Sequence, residues 1–221
     1  MTELDYRHCY TYVFPDSLGG LSLVSTRDVR WSALGLETPQ GAFDYAFNAF
    51  GVWRTENLLD TPLAVTSYLE EPATAAYPIP DLNAQVDAYQ DSHGNMHILY
   101  RRTGETTGGA EKSMHRIVSP SGEILFDEHL PFDIGYYVRI FQDGRGNFYL
   151  LGSSGILYLL DERGERPVDS RQLDLGGYEV EYSGYGLSVP RTGTPAGNFM
   201  EVVFTSGDES QWLYFQIEFV E

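Results

Sequence analysis

Lysine is almost missing from this chain: Lys112 is the only one in 221 residues, and Cys9 is the only cysteine. A single cysteine excludes an internal disulfide and CxxC redox or zinc chemistry. No apolar run approaches the roughly 20 residues that a membrane-spanning helix needs. Glu3 and Asp5 follow Met1 at once where a leader would be basic and then apolar, so no signal peptide is read. The compartment stays open, and one cysteine is compatible with the cytoplasm. Basic residues are scarce, 14 against 32 acids, which leaves a formal charge of −18. Such a surface repels phosphate backbones and anionic lipid, so neither nucleic acid nor a membrane is expected as a partner. There is no glycine-framed Walker lysine, and no GxGxxG, HExxH, EF-hand loop or Gly-x-Ser-x-Gly. No cofactor is expected.

What is present points to strands. Aromatic residues make up 14% of the chain, with 16 Tyr and 12 Phe, and there are 23 glycines. Aromatic and β-branched residues fit a pleated sheet, and glycine serves tight turns. One pattern recurs. Asp91-Ser92-His93-Gly94-Asn95 is matched by Asp143-Gly144-Arg145-Gly146-Asn147, and Asp16-Ser17-Leu18-Gly19-Gly20 fits the same frame. Apolar residues follow each copy. Asp caps a turn through its side chain, and Gly and Asn tolerate positive φ, so each copy reads as a hairpin turn. Second hairpins are expected at Thr38-Pro39-Gln40-Gly41, Ser119-Pro120-Ser121-Gly122 and Asp161-Glu162-Arg163-Gly164. Each repeat then holds four strands, A to D.

Four-stranded repeats of this kind stack radially as propeller blades. The Asp-x-x-Gly-Asn turns resemble those of bacterial β-propeller repeats of the NHL-like and two-component-regulator type. The expected fold is therefore all-β: a four-bladed β-propeller in a single domain over 1–221. Five blades, or part of a larger propeller, are the alternatives. Blade 1 is assigned to about 6–50, blade 2 to 83–130, blade 3 to 135–175 and blade 4 to 178–221. Residues 51–82 are read as a long insertion, with one or two helical turns over Leu63–Glu71. In blade 4 the reading places strand A at Tyr178–Tyr182, B from Leu187, C at Asn198–Ser206 and D from Gln211. A rival alignment takes Gly197-Asn198 as the repeat turn and leaves that blade without a fourth strand.

A–B and C–D turns share one side of a propeller, and B–C and D–A connections share the other. The long connections here, 51–82, 102–111, 131–135 and 191–196, all fall on that second side. Long loops on a rigid scaffold are where function concentrates. The insertion supplies Trp53, Arg54, Glu56, Tyr68, Glu70 and Tyr77 as candidate ligand-binding residues. The other connections add Arg102, Glu105, Tyr136 and Arg191. No catalytic residue and no metal ligand is assigned. His93 and His97 lie across a turn and not on one helix face, and each turn aspartate stands nearly alone where calcium wants six or more oxygens. Arg101 and Arg102, among so many acids, are expected to form ion pairs.

Three functions follow. The preferred one is a non-catalytic binding or scaffold module that holds a protein or carbohydrate on the elaborated face. The second is a glycan hydrolase or lyase using paired carboxylates there, drawn from Glu56, Glu70, Glu71, Glu105 and Asp133. The third is a fragment of a larger ring. Enzymatic activity is left uncertain, with a non-enzyme preferred.

Overall fold

A computed structural model of the chain describes residues 6–15, 21–30, 37, 45–55, 64–70, 82–103, 110–134, 138–152, 154–178, 180–181, 199–206 and 210–218. The described residues are all-β and contain no helix. The first sheet holds β1 (Tyr6–Pro15), β2 (Leu21–Arg30), β3 (Tyr45–Thr55) and β4 (Ala64–Glu70). The second holds β5 (Leu82–Gln90), β6 (Met96–Thr103), β7 (Lys112–Val118) and β8 (Ile124–His129). The third holds β9 (Arg139–Gln142), β10 (Phe148–Leu151), β11 (Ile156–Leu160) and β12 (Pro167–Gln172). The last holds β13 (Val180–Glu181), β14 (Phe199–Ser206) and β15 (Trp212–Glu218). Strands follow chain order in every sheet and pair antiparallel, which is the propeller-blade meander.

The recurrent turns form as their residues dictate. Asp91 Oδ1 accepts the N–H groups of His93 at 2.9 Å and Asn95 at 2.7 Å, while Oδ2 accepts the Asn95 amide at 2.9 Å. Asp143 repeats this with Arg145 and Asn147. Asp161 does the same with Arg163 and Glu165. At the fourth turn the Ser119 hydroxyl takes the place of the carboxylate and accepts the Glu123 N–H at 3.0 Å. The capping role read for Asp91 and Asp143 is therefore what they perform; Asp16 lies outside the described residues.

Two parts of the chain depart from the sequence reading. The segment 51–82 is not one insertion: β3 runs on to Thr55, and Ala64–Glu70 is the fourth strand of the first sheet, not helical turns. Thr38–Gly41 accordingly falls between the second and third strands, and the third turn lies within 56–63. Val65, Thr66 and the cross-strand partners Trp53 and Val52 suit a sheet better than a helix. In the last sheet β13 pairs directly with β14, Val180 opposite Ser206. No strand from Leu187 sits between them, which goes against the preferred alignment; Leu187 and the Gly197-Asn198 turn of the rival lie outside the described residues. That sheet has three strands among the described residues, and its outer face exposes Trp212 and Tyr214.

The second sheet buries both faces. Met96, Ile98 and Tyr100 of β6 pack with Phe14 and Val24 of the first sheet. Leu99, on the opposite face, packs with Ile140, Leu150 and Leu151 of the third, and the same core continues to Val202 and Phe204 of the last. Fully burying each such side chain contributes about 1.5–3 kcal/mol. The inner edges are stitched by polar groups. Tyr12 Oη donates to the Val86 carbonyl at 3.2 Å, and Asp87, wholly buried, accepts the Ile140 N–H at 2.8 Å. Arg139 Nη1 stands 3.9 Å from the same carboxylate. Asp87→Ala leaves a buried N–H and a guanidinium without that partner. It should cost about 3–5 kcal/mol in urea unfolding, while Asp87→Asn should recover part of this through its amide oxygen. A loss below 1 kcal/mol for the alanine variant would contradict the stitching role.

Candidate functional site

The strand directions divide the molecule into two faces. Turns 91–95, 119–123, 143–147 and 161–166 lie at one end of the strands. Connections 31–44, 71–81, 104–111 and 130–138 lie at the other. Around the second sheet the short turns make one face plain and the longer connections make the other elaborated, but the division by length is partial: 56–63 and 182–198 join strands at the end of the tight turns, so 191–196 does not fall on the side expected of it, and a tight turn from Gly152 to Gly155 lies at the other end.

The candidate residues do not all gather on the elaborated face. Trp53 and Arg54 occupy the far end of β3, opposite Leu23 and Ser22, beside the tight turns. Glu70 ends β4 on the other face, six residues along from the partner of Arg54. At ~3.3 Å per residue that is about 20 Å of strand. Tyr68 and Glu70 also sit on the outermost strand of the sheet, away from the inner edges. Arg102 stands one residue before the end of β6, on the elaborated face. Its guanidinium donates to Tyr100 Oη at 3.3 Å and lies 5.5 Å from the centroid of that ring. Tyr100 in turn donates to Asp127, which Arg116 also holds. Burial, then the Asp127 charge, pushes the Tyr100 hydroxyl well above its ordinary range. Arg102 therefore belongs to a polar chain against the first sheet. Glu56, Tyr77, Glu105, Tyr136 and Arg191 lie outside the described residues, as does Glu71.

Among the described residues, the acids that the elaborated face brings together are Glu111 and Asp133. Both reach Nη2 of Arg101, Glu111 in a close ion pair and Asp133 at 3.6 Å. The Arg101 side chain is 10% exposed and that of Asp133 is 70% exposed, so the guanidinium is the anchor and the aspartate the accessible group. Ser113 Oγ donates to Asp133 at 3.2 Å and accepts the Ile134 N–H at 2.9 Å, which fixes the 130–134 segment beside the guanidinium. The ion pairing expected for Arg101 is present. Asp133 was among the sequence candidates; Glu111 was not, and its place directly before β7 is the only signal it carries.

A second polar cluster lies at the plain face, between the second and third sheets. Glu165 offers a carbonyl, which only accepts, so His115 donates to it from Nδ1 across 3.2 Å. His115 Nε2 then accepts from His97 Nδ1 at 3.3 Å. His97 Nε2 has no hydrogen-bond partner and stands 3.6 Å from Asp91 Oδ2. Burial pushes the Asp91 carboxyl up, but the His97 ring and the Asn95 amide outweigh it, and the net shift is downward. The two rings stack on each other, His97 lies tilted against Phe148, and a Cβ at Gly164 would stand 2.7 Å from the Phe148 ring at a φ of +69°. Gly164 is what lets the 161–166 turn close over the histidines. Among the described residues no group of three or more His, Cys, Asp or Glu is arranged to hold a metal ion.

No family model matches the sequence, and no curated protein matches it. Solved structures do match in fold. The GH43_1 enzyme from Xanthomonas citri, complexed with xylotriose, aligns over 95% of this chain and 69% of its own, at 12% identity and a TM-score of 0.53. An α-L-arabinanase from Penicillium chrysogenum, complexed with arabinobiose, aligns over 97% and 58%, at 13% identity and 0.54. A GH43 β-xylosidase/α-arabinofuranosidase from a compost microbial metagenome aligns over 95% and 77%, at 9% identity and 0.50. These likenesses define the fold as a β-propeller. They do not support the NHL-like or two-component-regulator-like reading of the repeats. They also overturn the preference for a non-catalytic scaffold, because the structures that share the fold are glycoside hydrolases.

Buried His115 sets a pH dependence. Burial first, then the neighbouring His97, lowers His115 to about 3, against a partial opposing effect of the Glu165 carbonyl. Unfolded, the ring takes a proton near pH 6.5. Between those values the unfolded chain binds more protons, so stability falls as pH drops below about 6.5. Melting temperature should fall from pH 7.5 to 5.0, a window above most carboxylate titration. His115→Gln, neutral throughout, should show a shallower slope. Parallel slopes for the two proteins would rule the effect out.

Proposed function

We propose that the chain is a glycan hydrolase that works on its elaborated face. The observation that carries the reading is the shared fold: propellers that align over 95% or more of this chain are a β-xylosidase and an arabinanase bound to pentose oligosaccharides. The proposed substrate is accordingly a pentose-containing oligosaccharide. Glycoside hydrolysis needs two carboxyl groups about 5–10 Å apart, one to protonate the leaving oxygen and one to activate water or attack. The elaborated face supplies acids in its connections, with Asp133 accessible and held in place by Ser113 and Arg101. Glu105 lies in the neighbouring connection and remains a candidate. Trp53 and Arg54, at the opposite strand ends, take no part in this reading.

Hydrolysis of aryl xylosides, aryl arabinofuranosides and xylo-oligosaccharides tests it. Turnover is expected on at least one pentoside. Asp133→Asn or Glu105→Gln should lower kcat by about 10²–10⁴ without lowering the melting temperature. Glu70→Gln, on the outermost strand, should leave kcat unchanged. Absence of turnover on every pentoside and hexoside, or activity indifferent to neutralising each acid of this face, would defeat the proposal.

A further inference from the structure

The connection that carries Asp133 is clipped at both ends to a single residue. Ser113 accepts the Leu130 N–H at its backbone carbonyl, 2.8 Å away, and the Ile134 N–H at its hydroxyl, 2.9 Å away. The segment 130–134 is thus pinned to β7, and Asp133 is the residue just before the second pin.

Both oxygens of its carboxyl group face donors. A hydroxyl carries one hydrogen, and Ser113 directs it to Asp133 Oδ1 at 3.2 Å. Arg101 Nη2 faces Oδ2 at 3.6 Å. A guanidinium keeps its proton in a protein, and this side chain is 10% exposed and paired with Glu111, so the positive charge is fixed in place. The 70% exposure of Asp133 leaves its ion pair partly screened, and the hydroxyl contact adds to it. A nearby cation and a hydrogen bond to the carboxylate both favour its charged form. Glu111 opposes them with a like charge on the same nitrogen, but two direct donors at the Asp133 oxygens outweigh it.

Glycoside hydrolysis divides two roles between two carboxyl groups. One gives a proton to the departing oxygen, and the other is charged and activates water or attacks. We propose that Asp133 is the charged member, and that Arg101 and Ser113 are positioning residues that keep it ionised and aimed. In the reaction the glycosidic C–O bond breaks and the departing oxygen takes its proton from another acid of the face. Asp133 either takes the proton of the attacking water or bonds the anomeric carbon until water displaces it. The inference rests on the glycan-hydrolase reading and adds the division of roles within it.

Dinitrophenyl and phenyl pentosides separate the two roles, because dinitrophenolate departs without a proton and phenolate needs one. Asp133→Asn should lower kcat/KM by about 10²–10⁴ on both substrates alike. A loss confined to the phenyl substrate would make Asp133 the proton donor and overturn the assignment, with the hydrolase reading intact. Ser113→Ala should lower kcat about tenfold at unchanged KM, the magnitude of one hydrogen bond to a charged group. Arg101→Lys keeps a charge for the single contact with Asp133 and should exceed Arg101→Met in kcat by about tenfold. Ser113→Ala and Arg101→Lys carry the test if Arg101→Met does not fold, with melting temperatures measured for all three. Unchanged kcat in Ser113→Ala, or equal kcat in folded Arg101→Lys and Arg101→Met, would mean that these contacts only hold the loop, and would overturn the positioning role. Absence of turnover by the wild-type chain on every pentoside and hexoside would defeat both the assignment and the hydrolase reading.

Discussion

Every blade begins with a strand that has a neighbour on one side only, and this constraint organises the molecule. An edge strand leaves backbone donors and acceptors unpaired, and buried ones cost about 1–3 kcal/mol each when nothing satisfies them. The inner strands answer with side chains from the adjacent blade. Tyr12 of β1 reaches the Val86 carbonyl, and Asp87 of β5 takes the Ile140 N–H of β9. Both β1 and β5 carry a register shift where these contacts are made, between Cys9 and Tyr12 and between Gln85 and Asp87. A bulge re-aims a side chain without breaking the strand. Here it turns a residue toward the neighbouring blade instead of along the sheet. The price is a carboxylate with no exposure to solvent, tolerable because Arg139 and the N–H lie beside it.

The two faces are chemically unlike for a reason already present in the turns. At the plain face, Asp91, Asp143 and Asp161 spend their oxygens on the backbone of their own turns. These acids are structural, and what sets this end apart chemically is the buried pair His97 and His115. At the elaborated face the acids are anchored to arginine, with Arg101 nearly buried and Asp133 largely exposed. Fixed cation and accessible carboxylate make a rigid polar surface, which is what positioning a neutral polyol requires.

The Asp-x-x-Gly-Asn pattern made the hairpins of the second and third sheets legible, because each of its residues has a local job. Aspartate accepts two N–H groups, and Gly94 and Gly146 hold φ near +80° and +92°. The third turn of the first sheet has no such pattern within 56–63, so its fourth strand was read as a helical part of an insertion. In the last sheet the choice between two alignments rested on where the chain should stop, which is not a physical argument, and strand pairing decided otherwise. The candidate residues were chosen for sitting in long connections. Connection length places a residue on a face, but only register shows that Trp53 and Glu70 lie at opposite ends of one hairpin. The histidine pair, Asp87 and Gln142 carry no sequence signal, because each matters through a neighbour more than twenty residues away or through burial.

A backbone likeness over 95% of the chain at 12% identity says which features tolerate replacement. A propeller asks for a strand order within each sheet and a buried core between sheets, and many residue combinations satisfy these demands. The Ser119 turn, closing with a hydroxyl in place of a carboxylate, is one such replacement within this chain itself. Function does not travel with these features, because fold and site vary independently. On the glycan-hydrolase proposal, the connections 104–111 and 130–138 are the ones to probe, and an acid is weighed by its distance from the inner edges. By that criterion Asp133, between β8 and the inner strand β9, outranks Glu70 on the rim of the first sheet.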